Sequence, residues 1–366
     1  MFITFYTNKK PQQITFEEIL KNTRLQETQR TFGSVKITKE LKEGEWTVPK
    51  TLTNTAGLKI LSEDYNTEEH YKHFQIPKKS NPRKKRKIDA PDDELKAIQR
   101  EYKLYIEKGL AVLPHRAAHA YVEGCSTVTA MKVHQKNDSK WFLQLDLKNF
   151  FNSITKEWLD YMLQMVFPLN HLKELEEDLY NSILKSALLN GVLPQGSVLS
   201  PTLTNICMVP IDYRITEALK DYKRHNFIYT RYADDITISC KEKFNPEEII
   251  EIIECIFRGF DAPFTINSEK TRFGSVAGKN YHVGIILNKD GKLSVGHEKN
   301  NKFRAMIFNF CQVGEEWDRH DIQKMLGLLS YYKSIEPEFV KRVLITYGVR
   351  FNMNIEEKAK KLIAQL

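Results

Sequence analysis

The sequence has few cysteines and no long apolar run. Its 366 residues include five cysteines, an odd number, scattered along the chain without any CxxC pair. This pattern argues against a disulfide framework and a structural zinc site, and it predicts a reducing, cytoplasmic setting. No apolar stretch approaches the roughly 20 residues that a membrane-spanning helix needs, so we expect no membrane partner. Residues 1–5 lack a basic segment followed by a long apolar core, and we expect no secretory signal there.

The composition is that of a folded protein with an excess of positive charge. Hydrophobic residues make up 41% of the chain and charged residues 28%, which excludes wholesale disorder and collagen-like structure. No internal repeat or low-complexity segment is present. Lys and Arg number 55 against 47 Asp and Glu, giving a net charge of +8. A basic balance of this kind favours a polyanionic partner such as nucleic acid.

Part of this positive charge is concentrated between residues 78 and 87, where no acidic residue occurs. The basic side chains are Lys78, Lys79, Arg83, Lys84, Lys85, Arg86 and Lys87. Asn81-Pro82 lies within the run and predicts a loop. A solvated surface loop and a phosphate-binding element both remain open as interpretations of the run.

The order of predicted elements indicates an α+β fold. Strands are expected at 141–146, at 227–239 as two strands around a turn at Ala233-Asp234, and as short strands at 262–273 and 280–296; strands and turns are expected at 33–53. Helices are expected to open at Ala90-Pro91, with Pro91 in the first turn and Leu95, Ile98, Tyr102 and Ile106 on one face, and at Ser200, with Ser200 as the N-cap. Further helices are expected at 16–25, at 155–187 with a break, at 246–257, and over most of 298–366. Runs of both kinds without regular alternation are typical of α+β domains.

Three acidic residues lie beside apolar strands, where a charge is costly to bury. Asp146 ends one predicted strand, and Asp234 and Asp235 form the predicted turn between two others. An unpaired buried carboxylate is expensive, so a nearby cation is expected. Arg231 is a basic side chain close to the pair in sequence, and Mg²⁺ is the metal that carboxylate oxygens suit. Strand-end aspartates holding two magnesium ions serve phosphoryl transfer, whereas a lone Asp-Asp pair is more often a turn or a helix cap.

Several segments, read together, resemble the motifs of reverse transcriptases. The similar segments are 145–151 for motif A, 193–201 followed by Asn205 for motif B, Tyr232-Ala233-Asp234-Asp235 for motif C, 267–271 for motif D, 281–285 for the start of the primer grip, and 327–331 with Pro337 for a bacterial thumb. The resemblance implies a right-hand polymerase with fingers, an antiparallel palm sheet with helices, and a short helical thumb. It implies an N-terminal extension at 1–75, fingers and palm at 76–297, and the thumb at 298–366.

Within this family the sequence is most similar to bacterial retron-type enzymes, through a fingers-like segment that begins at Arg86-Lys87-Ile88. Two segments, 130–134 and 282–284, depart from the retron pattern. These departures favour a sibling group of defence-associated or unclassified bacterial reverse transcriptases.

The resemblance also implies roles for individual residues. Metal ligands are expected at Asp146, Asp234 and Asp235, nucleotide-binding residues at Arg86, Lys87, Phe151, Gln195, Gly196 and Lys270, and primer or template contacts at Tyr232 and Gly284. Phe151 aligns with the steric gate that excludes a 2′-hydroxyl, and Lys270 with a proton donor to pyrophosphate. The implied cofactor is a pair of Mg²⁺ ions, with Mn²⁺ as the alternative. Core packing of Phe151 and Tyr232 and a solvated Lys270 remain the simpler interpretations, and His119 and His134 are expected to be hydrogen-bonded structural residues.

The predicted function is therefore RNA-directed DNA synthesis. The implied partners are an RNA template, a dedicated non-coding RNA, together with dNTPs, the DNA product and an effector protein in anti-phage defence. Two alternatives remain open from the sequence. One is template-independent or protein-primed DNA synthesis at the same site, and the other is a non-catalytic RNA-binding scaffold.

Overall fold

The computed structural model describes residues 2–5, 12–15, 57–78, 81–222, 226–278 and 284–366. The helix expected at 16–25 and the strands expected at 33–53 lie outside these residues. Among the described residues, no helix combines the length and the apolar character needed to cross a bilayer.

The chain divides into two compact units, Met1–Pro49 and Lys50–Leu366. In the first unit, strand β1 (Phe2–Phe5) pairs antiparallel with strand β2 (Gln12–Thr15). The division at 49/50 concerns compactness alone, and the partition into extension, fingers and palm, and thumb stays a prediction.

The second unit combines helices with antiparallel strands, in agreement with the predicted α+β class. Its strands are β3 (Tyr71–Lys78), β4 (Asn81–Pro91), β5 (Trp141–Asp146), β6 (Ile228–Tyr232), β7 (Asp235–Cys240), β8 (Arg272–Ser275), β9 (Ile286–Leu287) and β10 (Leu293–Ser294). Its α-helices are α1 (Asp93–Leu104), α2 (Thr127–Lys136), α3 (Lys156–Leu163), α4 (Leu169–Leu175), α5 (Glu177–Ala187), α6 (Ser200–Cys207), α7 (Val209–Asp221), α8 (Pro246–Gly259), α9 (His297–Val313), α10 (Arg319–Ile335), α11 (Pro337–Arg350) and α12 (Ile355–Gln365).

A four-stranded antiparallel sheet with the order β6-β7-β5-β8 forms the centre of this unit. Leu143 and Leu145 of β5 and Ile236 and Ile238 of β7 are fully buried. Apolar side chains of α3, α5, α6, α7 and α8 join them in one core. Strands β5 and β7 are mostly buried, and Asp146 and Asp235 are partly buried residues at their ends. These two acidic residues therefore lie where the core meets the surface.

The basic run forms part of a β-hairpin, so the prediction of a loop there is wrong. Strand β4 carries the run and pairs antiparallel with β3, with Phe74 opposite Ile88 and Ile76 opposite Arg86. The basic side chains with described positions are exposed. A two-stranded hairpin leaves much of its surface in water, so charged residues are tolerated there without the alternation that marks a half-buried strand.

The segment between α8 and α9 holds less strand than predicted. Of 262–273, only the end enters β8, and Ile266 makes a single bridge to Leu147. A turn at 268–270 replaces the expected strand, because the Lys270 amide donates a hydrogen bond of 3.1 Å to the Asn267 carbonyl. The expected hairpin around Gly291 is present as β9 and β10, and Gly291 adopts the positive φ of 71° that this turn requires.

The predicted helices beyond the basic run are confirmed. Asp92 caps α1 by accepting a hydrogen bond from the Leu95 amide, although Pro91 ends β4 and does not enter the helix. From α9 to α12 the chain is helical and builds a second apolar core around Phe303, Ile307 and Met325.

Candidate active site

The three aspartates predicted from the sequence meet at one end of the sheet. Asp146 and Asp235 are directly opposite each other in the register of β5 and β7. Asp234 lies in the tight turn between β6 and β7, where Ala233 has a φ of 57°. The Asp234 carbonyl accepts a hydrogen bond of 3.0 Å from the amide of Leu147, which fixes the turn against the end of β5. The convergence that the sequence predicted is therefore present.

The crowding of these carboxylates changes their acidity. Burial raises the pKa of Asp234, and the Asp146 carboxylate raises it further, while Lys270 and Arg86 oppose the change. Burial also raises the pKa of Asp235, to about 7, and the charges of Asp234 and Asp146 add to this effect. Both shifts have the same physical cause, since desolvated carboxylates that repel each other hold protons more strongly.

Lys270 is the basic side chain that pairs with this group. Its Nζ lies 2.8 Å and 3.0 Å from the two carboxylate oxygens of Asp146. The Asn267 amide donates a further hydrogen bond of 3.2 Å to the same carboxylate. The Asp146 side chain is 13% exposed and that of Lys270 is 61% exposed. The lysine therefore approaches the site from the solvent side.

Arg231, which the sequence suggested as a counter-charge for the aspartates, has a different partner. Its guanidinium is fully buried and binds Asp212 of α7, at 2.7 Å from Nη2 to Oδ2 and 2.9 Å from Nε to Oδ1. The Tyr229 hydroxyl donates to the same carboxylate at 2.6 Å. Nη1 contacts the Asn205 side chain at 3.2 Å and the Ala233 carbonyl at 3.5 Å. Arg231 thus supports the turn that contains Asp234, through the Ala233 carbonyl.

The loop that contains Gln195 and Gly196 packs on strand β4. The Gln195 carbonyl accepts a hydrogen bond of 2.9 Å from the amide of Asp89. Gly196 has a φ of 131°, and a Cβ there would lie 2.6 Å from the Asp89 carbonyl oxygen and 3.0 Å from Ile88. This loop is therefore tied to the strand that also carries Arg86 and Lys87.

The remaining predicted residues have different surroundings in the structure. Phe151 is half-buried, and its ring centroid lies 6.3 Å from that of Tyr121. Tyr232 is half-buried and opposite Asp235 in the sheet register. Lys87 is exposed and its Nζ lies 3.4 Å from Asp89. Gly284 differs from these, because its described contact is a hydrogen bond from Lys299 of α9 at 3.0 Å.

The segments that carry these side chains lie within a match to a known protein family. The profile of the family described as "Reverse transcriptase (RNA-dependent DNA polymerase)" matches residues 76–313. The chain belongs to the reverse transcriptase family. It is an RNA-directed DNA polymerase, and nucleotidyl transfer in this family depends on divalent metal.

Curated reverse transcriptases show similarity over most of the chain. The Retron Ec83 reverse transcriptase of Escherichia coli is 31% identical over 293 residues, covering 76% of this chain and 87% of the relative. The Retron Ec73 enzyme of Escherichia coli is 27% identical, covering 82% and 95%. The Retron Ec86 enzyme of the same species is 26% identical, covering 77% and 82%. The placement in a sibling group rather than among retrons stays a prediction.

The donor set of this reverse transcriptase suits a hard divalent cation. Carboxylate oxygens are the ligands that magnesium and manganese prefer. Burial first and the neighbouring carboxylates second raise the pKa values of Asp234 and Asp235, and a bound cation would offset both effects. Among the described residues, no group of three or more His, Cys, Asp or Glu side chains stands ready-made around one metal position. Lys270 holds Asp146 instead. The residues fit a metal if that ion pair opens.

Sequence reasoning missed the residues that support the site from a distance. No role was predicted for Tyr121, Asp89 or Asp212. Asp212 is in helix α7 and Arg231 is 19 positions later in strand β6. Helical or strand periodicity within one element cannot predict a pair of this kind. The two histidines were interpreted correctly, because His134 bonds Ser239 at 2.6 Å and His119 bonds Thr129 at 3.0 Å.

Proposed function

We propose that this reverse transcriptase copies a dedicated non-coding RNA into cDNA, and that Asp146, Asp234 and Asp235 hold two Mg²⁺ ions during the reaction. The observation that carries the proposal is the register pair of Asp146 and Asp235 beside the Asp234 turn. When bound, the two ions activate the primer hydroxyl and neutralise the triphosphate, and Mn²⁺ is the alternative metal.

Each surrounding side chain has a proposed task. Arg86 and Lys87 bind the triphosphate, because guanidinium and ammonium groups suit phosphate oxygens. Phe151 excludes a 2′-hydroxyl by its bulk. Lys270 releases Asp146 and gives a proton to the departing pyrophosphate. The remaining proposed contacts are Gln195 and Gly196 with the nucleotide, and Tyr232 and Gly284 with primer or template.

The proposed setting is the bacterial cytoplasm, in anti-phage defence, with an effector protein as a further partner. Two observations support the bacterial cytoplasm, whereas the defence role and the effector protein rest on the family resemblance. The relatives come from bacteria such as Escherichia coli, and the five cysteines are all free thiols, as is usual in a reducing compartment.

The test of the site is Asp234→Asn. We expect dNTP incorporation on an RNA template with a DNA primer to fall by about three orders of magnitude, because the amide cannot replace a carboxylate metal ligand. RNA binding, measured by filter retention, should persist. Asp138→Asn is the matched control, since Asp138 is an exposed residue paired with Lys140 and should leave incorporation unchanged. Incorporation at the wild-type rate by Asp234→Asn would overturn the metal assignment.

The same assay separates the alternative modes of synthesis. Template-directed synthesis requires the added RNA and yields product whose mobility is unaffected by protease. Product that forms without RNA would indicate template-independent synthesis, and product shifted by protease would indicate protein priming. RNA binding without any incorporation by the wild type would indicate a scaffold.

A further inference from the structure

Tyr121 is an exposed aromatic residue in a constrained position beside the aspartates. Its side chain is 54% exposed, and its backbone has a φ of 61°, which is uncommon for a bulky residue. An aromatic ring that served only the core would be buried. A strained backbone that is kept at the edge of an active site is often held there by its surroundings for a purpose.

The backbone just before Tyr121 is fixed by hydrogen bonds to Arg231 and Asn205. The Arg231 amide donates to the Ala117 carbonyl at 2.7 Å, and the Arg231 carbonyl accepts from the His119 amide at 2.8 Å. The Asn205 side chain donates to the Ala120 carbonyl at 2.8 Å. Since Arg231 is separated by two residues from Asp234, the same network sets the positions of both the tyrosine and the aspartate turn.

The surroundings of the Tyr121 side chain belong to the proposed nucleotide site. Its ring contacts that of Phe151 at a centroid distance of 6.3 Å with an interplanar angle of 59°. Partial burial and then the Asp234 carboxylate raise the pKa of its hydroxyl, and Arg86 opposes this. The side chain therefore lies among the proposed sugar gate, a proposed metal ligand and a proposed triphosphate-binding residue.

Two described ring contacts hold the side chain of Phe151. Phe150 is buried and its ring centroid lies 5.6 Å from that of Phe151. Tyr121 supplies the other described ring contact. Without it, the Phe151 ring would have more freedom to turn away from the sugar.

We propose that Tyr121 is a specificity-determining residue of the deoxynucleotide subsite, which packs against the incoming nucleotide and holds Phe151 against its sugar. The inference rests on the proposed function, since it assumes that Phe151 and Asp234 bind that nucleotide. It adds a residue from the segment before α2 to a site otherwise built from motifs A to D and the β4 strand.

The test measures kcat and KM for single dNTP and rNTP additions on an RNA template with a DNA primer. Tyr121→Ala should raise KM for the dNTP about 5- to 10-fold and lower the dNTP-over-rNTP preference by a similar factor, the range of an aromatic contact. Tyr121→Phe should retain both values within about twofold, because the ring carries the effect. Asparagine adopts a positive φ more readily than most residues, so Tyr121→Asn keeps the backbone conformation while removing the ring. It should behave as Tyr121→Ala, which would attribute the effect to the loss of the ring and not to a change in the backbone.

Two further variants sharpen the result. Phe167→Ala, which removes an exposed ring outside the motifs of the predicted site, is the matched control and should leave the sugar preference unchanged. Tyr121→Ala combined with Phe151→Ala should lose less preference than the two single losses multiplied, because both residues act on one contact.

Distinct outcomes bear on the inference and on the function beneath it. If the wild type incorporates dNTPs and Tyr121→Ala keeps its KM and sugar preference, the inference is wrong and the proposed function stands. A loss of kcat alone in Tyr121→Ala, with KM and preference intact, also overturns it. If the wild type incorporates no dNTP, the proposed function fails and this inference fails with it.

Discussion

In the proposed function, Phe151 is the residue that distinguishes a deoxyribose from a ribose. Its ring is packed on one side by the buried Phe150, so it cannot withdraw in that direction. We expect Phe151→Ala to lower the preference for dNTPs over rNTPs by about 10- to 100-fold, since it opens space for a 2′-hydroxyl. The measurement is the ratio of kcat/KM for matched dNTP and rNTP additions.

The control for the gate is an exposed ring outside the proposed nucleotide site. Phe167 is 53% exposed and lies between α3 and α4, so Phe167→Ala should keep the wild-type sugar preference. Unchanged discrimination in Phe151→Ala would leave the residue with a packing role alone.

We expect the buried Asp235 carboxylate to lower the free energy of unfolding when no metal is bound. Its pKa is raised to about 7, so the folded state keeps a proton that the unfolded state releases near pH 4. Between these values the folded state binds more protons, and the free energy of unfolding falls as pH rises. Asp235→Asn removes this loss. We expect it to stabilise the metal-free protein by roughly 1–3 kcal/mol at pH 8 and by little at pH 4.

Urea denaturation in EDTA at pH 4 to 8 measures this difference. The same variant should lose most activity and gain less stability than the wild type when Mg²⁺ is added, because it lacks a proposed ligand of the metal. Asp138→Asn, at an exposed surface pair, is again the control. A wild type whose stability rises between pH 5 and 8 in EDTA, by more than that of Asp235→Asn, would contradict the assignment.

At the level of single residues, the sequence identified the acidic trio and could not identify its counter-charge. Asp146, Asp234 and Asp235 are recognisable because each interrupts or ends an apolar strand. The partner of Asp146 is Lys270, 124 positions later, in a turn that was expected to be a strand. Sequence proximity favoured Arg231 instead, and only the fold shows that Asp212 already binds it.

At the level of elements, prediction succeeded where apolar spacing was strong and failed where it was weak. Helix α1 buries Leu95, Ile98 and Tyr102, as its apolar spacing predicts, and strands β5 to β7 are short apolar runs that are buried over most of their length. Strand β4 has a long basic stretch and no such periodicity, because its pairing with β3 relies on backbone hydrogen bonds. Ser200, expected as an N-cap, is the first residue of α6, and its hydroxyl donates to the Pro194 carbonyl.

Gly196 joins two elements, and its replacement should separate them. In Gly196→Ala the new Cβ would lie 2.6 Å from the Asp89 carbonyl on a backbone at φ 131°. We expect a loss of roughly 2–4 kcal/mol in the free energy of unfolding, because strain and overlap add. The KM for dNTPs should rise as well, since the loop and β4 carry Gln195 and Arg86.

Gly191→Ala provides a control within the same loop. Gly191 also has a positive φ, of 74°, but a Cβ there would meet nothing within 4 Å. We expect a cost of about 1 kcal/mol and an unchanged KM, because only the backbone preference is removed. Equal effects of the two substitutions on KM would show that contact between the loop and β4 does not matter for nucleotide binding.

At the level of the whole molecule, the net charge of +8 indicated a polyanion, and the family match made that polyanion RNA. Charge alone did not indicate where the RNA lies. The hairpin of β3 and β4 concentrates exposed basic residues on the strand that contacts the Gln195 loop. We therefore expect the template backbone to follow this hairpin more closely than other basic surfaces.

The salt dependence of RNA affinity tests this placement. Arg83→Gln with Lys85→Gln removes two exposed charges of β4, and Lys241→Gln with Lys289→Gln removes two exposed charges elsewhere. We expect the slope of log K against log salt concentration to fall by about one for each phosphate that the protein no longer neutralises, so by up to about two for the β4 pair. The other pair should change the slope by less than about half a unit, although both variants have the same net charge. If the two pairs reduce the slope equally, overall charge governs binding, and the hairpin has no special part in it.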